Sequence, residues 1–189
     1  MLDALIRRYT SPLLTGPVGR VAALGIGADA LTTTGFVVGI AALPAIGRRA
    51  YLVGLGLIAL SRIFDAVGSA LARRNSPRRS GIYLEHVLEL IWTASVPFAF
   101  ALADPERALA AMFLMLGLVA RAAAMSDDIK LGQGTLLIGA ELLGKSETFI
   151  AYALACIFPA WFGIIAYALG IACFVMTGVR VAASEIQGP

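Results

Sequence analysis

Apolar residues dominate six stretches of this chain, at about 30–46, 51–72, 82–103, 108–125, 142–158 and 161–183. Each approaches the ~20 apolar residues that a bilayer-crossing helix needs. Arg48 and Arg49 divide the first stretch from the second. The segment NSPRRSG, from Asn75 to Gly81, has turn chemistry and divides the second from the third. ADPER follows the third, and its Pro105 suits a helix start. The polar run SDDIKLGQG after Met125 holds Asp127, Asp128 and Lys130 and reads as a solvated loop. Pro159 marks a tight connection between the last two stretches. Residues 1–29 differ. Leu2, Leu5, Ile6 and Tyr9 recur at helical spacing with Asp3, Arg7 and Arg8 between them, the pattern of a helix lying in the membrane interface. Pro12 and Pro17 interrupt it.

The pattern predicts an all-α integral membrane protein with six transmembrane helices plus an N-terminal interfacial amphipathic helix. Its organisation is an interfacial segment at 1–29 and one membrane domain at 30–189. No uninterrupted apolar core follows the N-terminal charges, so no cleavable signal peptide is expected.

Composition sharpens this. Of 189 residues, 59% are hydrophobic and 14% charged, which excludes a soluble enzyme and a nucleic-acid reader. With six spans both termini share one side. That side carries Arg7, Arg8, Arg20, Arg73, Arg74, Arg78, Arg79, Lys130, Lys145 and Arg180, against Arg48, Arg49 and Arg107 on the other. The positive-inside rule then places both termini and the 73–81 turn in the cytoplasm of a bacterial-type inner membrane. Cys156 and Cys173 lie in apolar runs and read as small buried hydrophobes.

Ionisable residues within spans are costly and point to function or to a partner. The second and third spans carry Arg62, Asp65, Glu85, His86 and Glu89. Asp65 and Glu89 each lie about 12 Å in from the 73–81 turn at 1.5 Å per residue. Glu85 and Glu89 are four apart and share a helix face, as do Asp65, Gly68, Ser69 and Ala72. As antiparallel neighbours, the two spans would bring three carboxylates into one pocket. A divalent cation, Mg²⁺ or Mn²⁺, would relieve their repulsion. The alternative is a buried salt-bridge network with Arg62 and Arg73. Trp92 is expected to pack at mid-span.

The run RIFDAVGSALARRNSPRRSGIYLEHVLE, Arg62 to Glu89, resembles the signature of the CDP-alcohol phosphotransferases. Their pattern is D-x-x-D-G-x-x-A-R, seven or eight residues, then G-x-x-x-D-x-x-x-D. Asp65, Ala72, Arg73 and Gly81 match; Gly68 replaces the second Asp, Ser69 the Gly, and Glu85 and Glu89 the last two Asp. ADALT at 28–32 is similar to the family's P-N-x-x-T, with Asp29 for Asn.

The resemblance implies a metal-dependent transferase of phospholipid synthesis. Such an enzyme moves a phospho-alcohol from a CDP-linked donor to an alcohol or lipid acceptor and releases CMP. Carried over, Asp65, Glu85 and Glu89 would hold the metal and Glu89 would be the catalytic base. Asp29, Thr32, Gly68, Ser69, Arg73 and Gly81 would border nucleotide and phosphate, and Arg121 would meet the acceptor. A homodimer is implied by the same analogy. The departures leave three readings: a divergent transferase using a CDP-linked or another nucleotide-linked donor; a catalytically impaired protein of the same fold; or a small transporter or scaffold with a structural polar network. Gly68 is expected to point where an Asp would reach the same cation as Asp65.

Overall fold

The computed structural model describes residues 27–74, 79–131 and 145–186, together with Gly19. Six helices run through these residues: α1 (Ala28–Gly47), α2 (Tyr51–Arg74), α3 (Arg79–Ala103), α4 (Ala108–Leu131), α5 (Lys145–Ile157) and α6 (Phe162–Ile186). Short 3₁₀ turns at Pro105–Arg107 and Pro159–Trp161 lead into α4 and α6. Five helices are long and apolar enough to cross a membrane. The expected fifth span is seen as α5, whose 13 residues rise only about 20 Å. The interfacial segment lies outside the described residues except for Gly19 and its end at 27–29, where Ala28 and Asp29 already belong to α1. The polar run after Met125 is not a loop at its start. Residues 126–131 continue α4, because the first helix breaker in the run is Gly132.

Packing in a bilayer relies on close van der Waals fit, since lipid is as apolar as leucine. The closest pairings accordingly meet at glycine. α1 packs tightly on both α2 and α3 through a buried row of Gly35, Gly39, Ala42 and Ile46. A Cβ at Gly39 would sit 2.5 Å from Trp92 Cδ1 and 2.9 Å from Ser61 Oγ. The Ser61 hydroxyl in turn donates to the Gly35 carbonyl at 2.7 Å. On the far side α4 packs on α6, where a Cβ at Gly117 would meet the Gly170 carbonyl at 3.0 Å.

α2 and α3 are not the packed neighbours that the short turn between them suggests. Their backbones scarcely approach each other, because α1 fits against both. The gap is crossed by side chains.

The three tight turns gather at one end of the bundle. α1 closes with a Schellman pair, Ala50 N–H to the Ala45 carbonyl and Arg49 N–H to Ile46. Arg49 occupies the left-handed position, φ 64°, which usually selects Gly. Its side chain explains the choice: Nε donates to the Ala103 carbonyl at 3.0 Å, capping α3. Arg107 pairs with Asp104 and donates to the Pro159 carbonyl, tying the remaining turns together.

Candidate acidic site between the second and third helices

Asp65 lies fourteen residues beyond Tyr51, and Glu89 fourteen residues before Ala103. Both are therefore roughly 21 Å from the end where the turns gather, at equal depth as the sequence spacing requires. Between them stands Arg62. Its Nη2 is 2.7 Å from Asp65 Oδ2, and its Nη1 donates to both Glu89 oxygens at 2.9 Å. The three side chains are 17–19% exposed. The guanidinium lies 4.2 Å from the centroid of the Trp92 ring, a cation–π geometry. Arg62 Nε is buried without a hydrogen-bond partner. One turn further along both helices, the Ser69 hydroxyl donates to Glu85 Oε1 at 3.1 Å. The site is thus a ladder of two rungs across the α2–α3 gap, Arg62–Glu89 and Ser69–Glu85.

The helix periodicity builds it. Arg62 and Asp65 are three apart, Asp65 and Ser69 four, Glu85 and Glu89 four, Glu89 and Trp92 three, so each set shares one face. Trp92 is 2% exposed and meets Tyr152 edge-on at 5.9 Å between ring centres. The Tyr152 hydroxyl donates to the Thr93 carbonyl at 2.7 Å, fixing α5 against α3.

The other site residues fall in several places. Gly68 does not face the carboxylates. A Cβ there would meet Thr32 Oγ1 at 3.2 Å, Leu31 Cβ at 3.4 Å and the Ala28 carbonyl at 3.5 Å, so it faces α1. The reason is that α1 fills the space along α2 that a shorter contact between α2 and α3 would have left open. Thr32 lies on this inner face, its hydroxyl donating back to Ala28. Asp29 lies on the outer face, in an open groove with Thr33, Thr34 and Val37. Arg73 and Gly81 belong to α2 and α3, and their surroundings lie outside the described part. Arg121, on α4, stands within hydrogen-bonding reach of Cys173 on α6.

A divalent cation needs its oxygen ligands about 2.0–2.6 Å from one point. Between Asp65 and Glu89 that point is filled by the Arg62 guanidinium, and Gly68 offers no donor atom. Among the described residues no three His, Cys, Asp or Glu side chains are grouped to hold a metal ion. The donor set does not fit the metal centre that the sequence resemblance implies. The sequence also gave no role to Trp92 as the seat for Arg62, although its spacing from Glu89 carried that signal.

No protein-family model matches the chain. A curated relative does: the inner membrane protein YnjF of Escherichia coli is 34% identical over 193 residues, an alignment covering 96% of this chain and 94% of that protein. The chain belongs to the YnjF family. YnjF is an inner membrane protein, and among the described residues of this chain five helices are long and apolar enough to cross a membrane. The fold of this YnjF relative is shared with solved phosphatidylinositol phosphate synthase of Mycobacterium tuberculosis. The form with CDP-DAG bound superposes with a TM-score of 0.72 at 17% identity, over 93% of this chain and 92% of that one. The form in complex with manganese and citrate gives 0.71 at 14%, over 89% and 87%. The all-α membrane build expected from the apolar pattern is observed, with five apolar helices of spanning length among the described residues.

Proposed function

We propose that this YnjF relative is a divergent CDP-alcohol phosphotransferase-like protein of phospholipid synthesis. It works in the inner membrane as one domain over 30–189, with both termini and the acidic site toward the cytoplasm. Its donor is an alcohol linked to CDP or to another nucleoside diphosphate, its acceptor an alcohol or a lipid, and the donor's nucleoside monophosphate leaves, CMP where the donor is CDP-linked. The observation that carries this reading is the acidic ladder of α2 and α3. It stands at matched depth inside a fold shared, over nine-tenths of both chains, with a synthase solved with CDP-DAG bound.

The chain's own residues then divide the work. α1 closes one side of the donor site where Thr32 faces Gly68 of α2, and the first turn of α1 offers backbone N–H groups to an anion, with Asp29 bordering the nucleotide from the outer face. Arg73 and Gly81 border the phosphate from the ends of α2 and α3. Arg121 meets an acidic acceptor group. Glu89 takes the proton of the acceptor hydroxyl as its oxygen bonds to phosphorus and the bond to CMP breaks. That step requires Glu89 to part from Arg62, because the guanidinium occupies both of its oxygens.

The same hold favours a second reading, a catalytically impaired protein that binds the donor without turning it over. Release of CMP decides between them. The full chain is placed in liposomes with CDP-diacylglycerol and a panel of alcohol and phospho-alcohol acceptors. The transferase reading expects CMP from one acceptor and a loss of a hundredfold or more in Glu89→Gln, on the order of a general base's contribution. Donor binding with no CMP from any acceptor selects the second reading. No donor binding ends both.

A further inference from the structure

We propose that Arg62 is the resident cation of the acidic ladder: its guanidinium stands where a divalent metal would bridge Asp65 and Glu89, and the wild-type protein works without that metal.

Four observations carry this. First, Arg62 meets both carboxylates at once, at 2.7 Å and 2.9 Å, from a single cationic side chain. Second, the guanidinium is not a passing contact. Trp92 is 2% exposed, is pressed onto Gly39 of α1, and offers its ring face 4.2 Å from the charge. Third, the remaining carboxylate of the set, Glu85, already accepts from Ser69 on the next rung. Fourth, Gly68 faces α1 and cannot complete a ligand set. A metal entering between Asp65 and Glu89 would have to expel the guanidinium from two charge-assisted bonds and from the Trp92 face. Losing these charge-assisted bonds is costly enough to weaken metal affinity roughly a hundredfold.

A consequence for the ligand rests on the donor reading above. The charge nearest a phosphate-bearing donor would be the Arg62 guanidinium, in place of a Lewis-acidic metal. Donor binding would then persist in EDTA.

The test uses the purified full chain in detergent, titrated with MnCl₂ or EDTA. Thermal unfolding is followed, and bound Mn²⁺ is read by electron paramagnetic resonance. Wild type should unfold at the same temperature in EDTA and in low-millimolar Mn²⁺. Arg62→Gln leaves the Asp65 and Glu89 carboxylates facing each other, and should gain Mn²⁺ stabilisation at concentrations roughly a hundredfold below any wild-type response. Arg62→Lys keeps the charge and should stay insensitive. If Arg62→Gln does not yield folded protein, Glu89→Gln decides: it should lower the unfolding temperature equally in EDTA and in Mn²⁺. Wild-type binding of Mn²⁺ at micromolar concentration, abolished in Glu89→Gln, would overturn the proposal. CDP-diacylglycerol binding is measured in the same samples. If no variant binds it, the donor reading fails, while the Mn²⁺ response still judges Arg62.

Discussion

Gly39 is the point at which three helices are closest, so adding one methyl group there tests the packing account. A Cβ at this position would lie 2.5 Å from Trp92 Cδ1 and 2.9 Å from Ser61 Oγ, with Trp92 Nε1 in equal conflict. Ordinary contact needs about 3.5–4.0 Å. The indole would therefore have to withdraw by about 1 Å. It has little room: it is 2% exposed, with Tyr152 on one side and Arg62 on the other. Overpacking of this kind costs about 1–3 kcal/mol. Replacing a helical Gly by Ala returns up to about 1 kcal/mol. With the full return, the net for Gly39→Ala is destabilisation by up to about 2 kcal/mol, a fall in unfolding temperature of up to roughly 8 °C by the scaling for domains of this size, and the deficit against a helical Gly→Ala change that meets nothing is about 1–3 kcal/mol. Gly56→Ala, in α2, is the control, because a Cβ there meets nothing within 4 Å. It should match or exceed wild type. Both are measured by thermal unfolding in the same detergent, followed by tryptophan fluorescence. A Gly39→Ala protein as stable as Gly56→Ala would refute the claim that α1, α2 and α3 meet through this glycine.

Further outcomes follow from other contacts. Gly117→Leu should lower the unfolding temperature more than Gly39→Ala, because the neighbouring atoms across the α4–α6 contact include the Gly170 backbone, which cannot swing aside. Arg49→Ala should be less stable than Arg49→Gly by about 1 kcal/mol in thermal unfolding, since both lose the cap on Ala103 and only Gly is at ease at φ 64°. Tyr152→Phe should cost about 0.5–1.5 kcal/mol through its bond to Thr93, read the same way; no loss would mean that α5 is held by shape alone.

The helices were legible because a bilayer imposes long apolar runs, and Arg48, Pro105 and Pro159 punctuate them. The equal depth of Asp65 and Glu89 was legible for the same reason: a fixed rise per residue and a short turn set it. What the sequence hid was lateral order. Nothing in the α2 and α3 sequences says that α1 would lie against both and leave them apart. That order turned Gly68 toward Thr32 and left Arg62, the longest side chain at that level, to cross the gap. The Gly35–Gly39–Ala42 row was the available clue, since small residues four and three apart mark a face meant for close approach. Asp29 and Thr32 were read together from a short motif, yet three residues along a helix placed one in the open groove and the other against Gly68.

The pairing of Arg62 with Asp65 also bears on how the chain enters the membrane. An arginine at the middle of a span costs about 2.5–3.5 kcal/mol on the scale of cellular insertion. α2 is synthesised before α3, so Glu89 is not yet present when Arg62 must leave water. Asp65, three residues away on the same helix, is. The helix thus carries its own counter-ion across, as a locally neutral unit. Glu89 arrives later to a guanidinium already in place, and its acidic α3 is received by a charge that awaits it. The i, i+3 spacing within α2 thus gives Arg62 a counter-ion on its own helix before α3 is made.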